Sequence, residues 1–179
     1  MIIEEYKTIF IHIPKNAGTS LEEHFGNGSF RVQPNKHADI HEIKRKFKNS
    51  YNNYRKFTII RNPYDKMVSW HSYLKMNLGE EHEVVEFNEW VKNPLKLWHV
   101  DDPISFLNPQ YKWIDDTVET IKFENLNKEL NEFFAKEIDL PITNKSNHDH
   151  YSSYYNEESS NIIYDRYKKD FEKYNYKKL

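Results

Sequence analysis

The stretch Ile9-Phe-Ile-His-Ile-Pro-Lys-Asn-Ala-Gly-Thr-Ser20 decides how this chain is read. An apolar, β-branched run stops at a proline turn. Lys15, three small or polar residues and the hydroxyl pair Thr19-Ser20 follow, at the point where a helix is expected to begin. A strand feeding a helix through such a turn builds a cradle for an anion. Backbone N–H groups point out of the turn, and the helix N-terminus adds partial positive charge. Lys15 supplies a full charge, and the hydroxyls supply short donors. A Walker A loop would instead run through glycines into Gly-Lys-Ser/Thr. Here the lysine comes before Gly18, so the loop suits a phosphate without being the standard nucleoside triphosphatase loop. On its own the stretch also reads as an ordinary strand-to-helix turn with a solvated lysine.

Outward from this loop, the rest of the chain reads as strands alternating with helices. The first strand is expected over 8–13 and the first helix over 19–25, closed by Gly26-Asn-Gly-Ser. A short strand is expected over 30–32. Ile40, Ile43 and Phe47 fall at helical spacing behind Asp39, a suitable cap. Phe57-Thr-Ile-Ile-Arg61 is the second buried strand, stopped by Asn62-Pro63. Helices are expected over 64–78, 87–91, 126–138 and 157–171, with a third short strand over 120–123 and a polar loop over 141–155. This alternation predicts an α/β fold, a three-layer arrangement with a mostly parallel central sheet flanked by helices. Its N-terminus is a P-loop-like strand-loop-helix. Ligands of such sheets bind beyond the carboxyl ends of the strands, where both Lys15 and Arg61 fall.

Composition sets the outer limits. The 179 residues predict one domain over 1–179. The formal net charge of −2 gives no global field toward nucleic acid or an anionic membrane, and 16% aromatic residues argue for a packed core. With no cysteine, disulfides, thiolate catalysis and cysteine-ligated zinc are excluded. No segment approaches the roughly 20 apolar residues of a membrane span and no signal peptide opens the chain, so a soluble, cytoplasmic protein is expected.

Arg61 is the second anchor. A guanidinium at a strand's carboxyl edge can fork onto a phosphate, and Ser69 lies two helical turns further on. Taken alone, Arg61 also reads as a surface salt-bridge residue and Ser69 as a helix-face hydroxyl.

Together the two segments resemble a known family. Ile-Pro-Lys-Asn-Ala-Gly-Thr-Ser20 is similar to the 5′-phosphosulfate loop of sulfotransferases that use 3′-phosphoadenosine 5′-phosphosulfate (PAPS), and Ile-Ile-Arg-Asn-Pro-Tyr-Asp-Lys-Met-Val-Ser69 is similar to their 3′-phosphate motif. The branch most resembled is the carbohydrate one that includes the heparan 2-O-sulfotransferases. Asn35-Lys-His-Ala38, Phe123-Glu-Asn-Leu126, the Asn144-Lys-Ser loop and the Tyr-rich ending fit it as well. The resemblance implies PAPS as donor, 3′-phosphoadenosine 5′-phosphate (PAP) as product and a hydroxyl acceptor on a carbohydrate, with no metal.

The same resemblance distributes roles. Lys15 would contact the 5′-phosphate and the bridging oxygen on which charge builds. Asn16, Ala17, Gly18, Thr19 and Ser20 would wrap that phosphate, and Arg61 and Ser69 would hold the 3′-phosphate. The loop containing Ser146 would close near the adenosine. Asn16-Ala17 departs from the threonine or alanine and glycine of many members.

Sulfuryl transfer resembles phosphoryl transfer in its demand for positioning and charge stabilisation. The attacking hydroxyl also needs a base, which is typically worth 10²–10⁴-fold in rate. Among nine histidines, His37 is the choice, since it precedes a helix between the two phosphate motifs and matches the family's Lys-His-Ala element. His41, Asp39 and Glu42 are the alternatives, and His12 and His71 read as packed residues. For the acceptor, Lys44, Arg45, Lys46, Lys48, Arg55 and Lys56 form a run that would suit an acidic glycan, but a solvated face is the simpler reading. Gln110 is a further polar contact to consider. Two other functions stay open at this point: an ATP-dependent small-molecule kinase, and a non-catalytic nucleotide-binding protein.

Overall fold

The computed structural model describes residues 1–26, 30, 31, 37–77, 85–94, 107–140 and 149–179. The chain divides into two compact units. One comprises Met1–Arg61 and Gln110–Asn144, the other Asn62–Pro109 and Lys145–Leu179.

The first unit is built on a five-stranded sheet. Its strands are β1 (Ile2–Ile3), β2 (Thr8–Ile11), β3 (Phe30–Arg31), β4 (Arg55–Ile60) and β5 (Glu119–Lys122), in the spatial order β3-β1-β2-β4-β5. β2 pairs with β4 in parallel, with Phe10 opposite Phe57, and β4 pairs with β5 in parallel, with Ile59 opposite Ile121. β1 pairs antiparallel to both β2 and β3, so it alone runs against the other four. The sheet is therefore mostly parallel, as expected. The short reversed strand at the chain start was missed, because two residues are too few to show a period.

Side chains alternate across the sheet. Phe10, Phe57, Ile59 and Ile121 join Ile3 on one face. There they pack with Leu21 and Phe25 of α1 (Gly18–Phe25) and with Leu130 and Phe133 on a later helix, α6 (Leu126–Phe134). Ile2, Ile9, Ile11, Thr58 and Ile60 point the other way and are buried too. Burial on both faces explains why β2 and the end of β4 read as continuous apolar runs rather than alternating ones.

Two expected boundaries move. The first strand ends at Ile11 rather than at residue 13, and the turn into the loop begins at Pro14. The helix expected at 40–47 is α2 (Ile40–Lys46), and after a break at Phe47 a further helix follows that was not expected, α3 (Lys48–Asn53). Asp39 caps α2 as expected, its side chain accepting from the Glu42 amide at 2.9 Å.

The second unit is helical among its described residues. It contains α4 (Pro63–Asn77), α5 (Phe87–Lys92), α7 (Glu157–Arg166) and α8 (Lys168–Tyr174). Tyr64, Met67, Val68, Trp70 and Leu74 of α4 share a core with Phe87, Trp90, Ile163, Tyr167 and Phe171. The helix expected over 157–171 is interrupted at Tyr167. Asn156 and Ser159 form a reciprocal capping box at the start of α7. Among the described residues, no helix is long and apolar enough to cross a membrane.

Candidate anion-binding site

The loop between β2 and α1 takes a shape that costs energy. Lys15 has φ 67° and Ala17 φ 57°, both in the left-handed region, and neither is glycine. Such residues persist where the surroundings over-determine them, and they cluster at binding sites. The surroundings are visible here. Asn16, between the two, is fully buried, and its Nδ2 donates to the Ile59 carbonyl at 2.6 Å and to Gln110 Oε1 at 2.7 Å. The loop is thus anchored to the carboxyl end of β4 by its middle residue.

Ala17 is the N-cap of α1 and offers no side-chain acceptor to the first turn. The first bond within the helix runs from the Leu21 amide to the Ala17 carbonyl. The amides of Gly18, Thr19 and Ser20 therefore precede the helical ladder, at the positive end of the helix dipole. Ser20 is buried and Thr19 half-buried. Gly18 is required by its neighbour: a Cβ there would stand 1.9 Å from Nε2 of His12.

Arg61 lies one residue beyond β4 and is 7% exposed. Its guanidinium lies over the Phe123 ring, 4.1 Å from the centroid, and donates from Nη1 to the Lys15 carbonyl at 2.9 Å. The Lys15 ammonium feels this arrangement. Burial first, and the Arg61 charge second, lower its pKa from 10.5 to about 8. Two cations held close together and largely out of water make a region of positive potential that favours an anion. This concentration of positive charge marks the site more clearly than its shape does.

Gln110 is the residue the sequence reading misplaced. Far from contacting an acceptor, it is fully buried. Its Oε1 accepts from the Arg61 amide at 2.9 Å as well as from Asn16, and its Nε2 donates to the Arg61 carbonyl at 2.8 Å. One side chain thereby clamps the backbone of the cation and the middle of the loop. A lone Gln among irregular sequence carries no signal of such a role.

His37 is half-buried and joins the same site. Its Nδ1 lies 3.2 Å from the His12 carbonyl, and its ring meets the His12 ring edge-on with centroids 4.5 Å apart. A carbonyl only accepts, so Nδ1 carries the hydrogen, and in the neutral ring the lone pair falls on Nε2. The alternative bases are less well disposed. His41 is exposed on α2, Asp39 is engaged as a helix cap, and Glu42 pairs with Lys46. His12 lies just past the first strand and is packed, as anticipated. His71, in the second unit, has its Nε2 2.9 Å from the Val85 carbonyl, and burial lowers its pKa.

Lys15, Asn16, Ala17, Gly18, Thr19, Ser20, His37 and Arg61 all belong to the first unit, at the carboxyl ends of β2 and β4. Ser69 lies on α4 in the second unit, where it is buried. Ser146 lies outside the described residues, as does most of the 141–155 loop. Most of the basic run is engaged: Lys44 over the Tyr51 ring, Lys46 with Glu42, Arg55 forked onto Glu119, and Lys56 on the Tyr51 and Tyr54 carbonyls.

No curated protein and no solved structure matches the chain. The sequence pattern of the sulfotransferase family, in contrast, matches residues 1–117, a span that holds the β2–α1 loop, His37, Arg61 and Gln110. The mostly parallel α/β sheet and the match over more than half the chain agree, and this chain belongs to the sulfotransferase family.

Proposed function

We propose that this chain transfers a sulfuryl group from PAPS to a hydroxyl group of a carbohydrate. The observation that carries the reading is the buried cation pair at the strand ends. Lys15, its pKa depressed by burial and by Arg61, and Arg61 itself, spread over Phe123, concentrate positive charge in a form suited to a multiply charged anion. Membership of the sulfotransferase family supplies the class of that anion, a nucleotide sulfate donor, and of the acceptor, a hydroxyl.

In this reading the loop of residues 15–20 holds the 5′-phosphate with backbone amides and the Thr19 and Ser20 hydroxyls. Arg61 holds the 3′-phosphate. As the acceptor oxygen bonds to sulfur, the bond from sulfur to the bridging oxygen breaks and PAP leaves with the electron pair. Lys15 stabilises the charge that gathers on that oxygen, the kind of preorganised electrostatic help that dominates many transfer reactions. His37 takes the acceptor's proton on Nε2, the basic nitrogen of the neutral ring whose Nδ1 donates to the His12 carbonyl. The carbohydrate acceptor rests on the resemblance of the two motifs to the heparan-type branch.

Thermal unfolding with PAP, compared with ATP and magnesium, tests the donor. PAP at 100 times its dissociation constant is expected to add about 2.7 kcal/mol of stability. A shift with ATP and magnesium alone would overturn the assignment in favour of a kinase. Replacing His37→Ala is expected to leave the PAP shift intact while removing roughly 10²–10⁴-fold of turnover. Unchanged turnover would reject His37 as the base.

A further inference from the structure

The ring of His12 meets both Gly18 at the start of α1 and His37 without belonging to the nucleotide loop. It is 5% exposed, just past β2, and stacks on Phe10 with centroids 5.6 Å apart and planes 26° apart. Its Nδ1 lies 3.0 Å from Oε1 of Glu22, on the very helix whose first turn forms the cradle. Its Nε2 edge presses on Gly18 so closely that no side chain fits there. Its carbonyl and its ring both meet His37.

A phenyl ring would fill the same space between Phe10 and Gly18. What imidazole adds is the nitrogen that Glu22 engages. A carboxylate can only accept, so His12 Nδ1 carries the hydrogen and one ring orientation is selected. The bond lies at the rim of the core, with the Glu22 side chain 20% exposed, where burial strengthens it and where its loss would leave an unpaired group.

We propose that Glu22 and His12 form a positioning dyad for His37. The carboxylate fixes the His12 ring on Gly18, and the ring and carbonyl of His12 together fix His37 with Nε2 as its proton-accepting nitrogen. The dyad deepens the reading of His37 as the base and rests on it. Neither member is a catalytic residue, since both act through His37. Partners of this kind, one shell out from a working histidine, are typically worth about 10–100-fold.

Two variants separate positioning from filling. Glu22→Met keeps the volume and removes the acceptor, whereas Glu22→Gln keeps an oxygen that can accept from His12. Two readouts apply. The first is the ring-to-ring nuclear Overhauser contact between His12 and His37 in the intact chain, which requires no activity. It is expected to weaken in Glu22→Met and to return in Glu22→Gln. The second is PAP release from PAPS in water. There a water oxygen attacks sulfur, the bond to the bridging oxygen breaks, and the water's proton passes to His37, leaving sulfate and PAP. The expected result for Glu22→Met is a kcat lower by about 10–100-fold with KM for PAPS unchanged. That loss should vanish when the variant is made on His37→Ala, because groups acting as a unit are not additive. An Overhauser contact that survives in Glu22→Met overturns the dyad, as does a loss of equal size in the His37→Ala background. Failure of the wild-type chain to bind PAP is a different outcome. It removes the proposed function and leaves the Overhauser contact to decide the dyad.

Discussion

Lys15 shows how one residue can carry a protein's electrostatic design. Its pKa of about 8 reflects burial and the neighbouring Arg61, and an incoming phosphate reverses both effects by supplying the counter-charge. The sign follows. In the free protein Lys15 loses its proton as pH rises through about 8, while the bound form keeps it, so binding takes up a proton above that pH. PAP affinity is expected to fall by about tenfold between pH 7 and 9, one pKa unit being a factor of ten. Calorimetric titration in buffers of different ionisation enthalpy reads both the affinity and the proton. A flat profile would contradict the assignment, and Lys15→Met should abolish the slope. The same depression bears on stability. The unfolded chain holds this proton up to 10.5, so the free protein gains stability as pH climbs from about 8 toward that value.

At the scale of the element, α1 begins on a glycine for a reason the helix itself does not supply. Alanine is favoured over glycine inside helices by about 1 kcal/mol. At position 18, however, a methyl group would stand 1.9 Å from His12 Nε2 and 2.1 Å from its Cδ2. Overpacking typically costs about 1–3 kcal/mol, so the clash outweighs the propensity. Gly18→Ala is expected to lower the melting temperature in the wild-type background. On His12→Ala, where the ring is gone, the same change should raise it. Equal effects in the two backgrounds would mean that the ring does not set this residue. The helix expected over 157–171 breaks at Tyr167, and α2 gives way to the unexpected α3 at Phe47. Neither position carries a proline or glycine, so the breaks had no local mark.

On the scale of the molecule, the first unit is assembled from two separated stretches, and Gln110 joins them. Its single amide satisfies both backbone groups of Arg61 and one hydrogen of Asn16, all buried. Gln110→Met keeps most of the volume and abandons all three. Each abandoned polar group costs about 1–3 kcal/mol. Urea unfolding is expected to show a midpoint lowered by the equivalent of about 2–5 kcal/mol with the slope preserved. A change under 1 kcal/mol, within the range of an ordinary surface substitution, would show that the clamp contributes little.

Much of this was legible from the chain alone. The apolar runs of β2 and β4, the proline-lysine turn and the Gly18-Thr-Ser20 start of α1 are local patterns, and local patterns report backbone preference and burial directly. They determined the alternation of strand and helix, the mostly parallel sheet and the two cationic anchors. What only the tertiary structure decided is which distant groups meet. Arg61 reaches the Lys15 carbonyl, Gln110 binds Arg61 and Asn16, and Glu22 engages His12 beside His37. These pairings depend on the register of β2 against β4 and on how the loops return to the sheet edge. Hydrogen bonds and charge coupling act over a few ångströms in space and leave no period along the chain, which is why a buried glutamine and a glutamate at the edge of the core became visible only once the chain was folded.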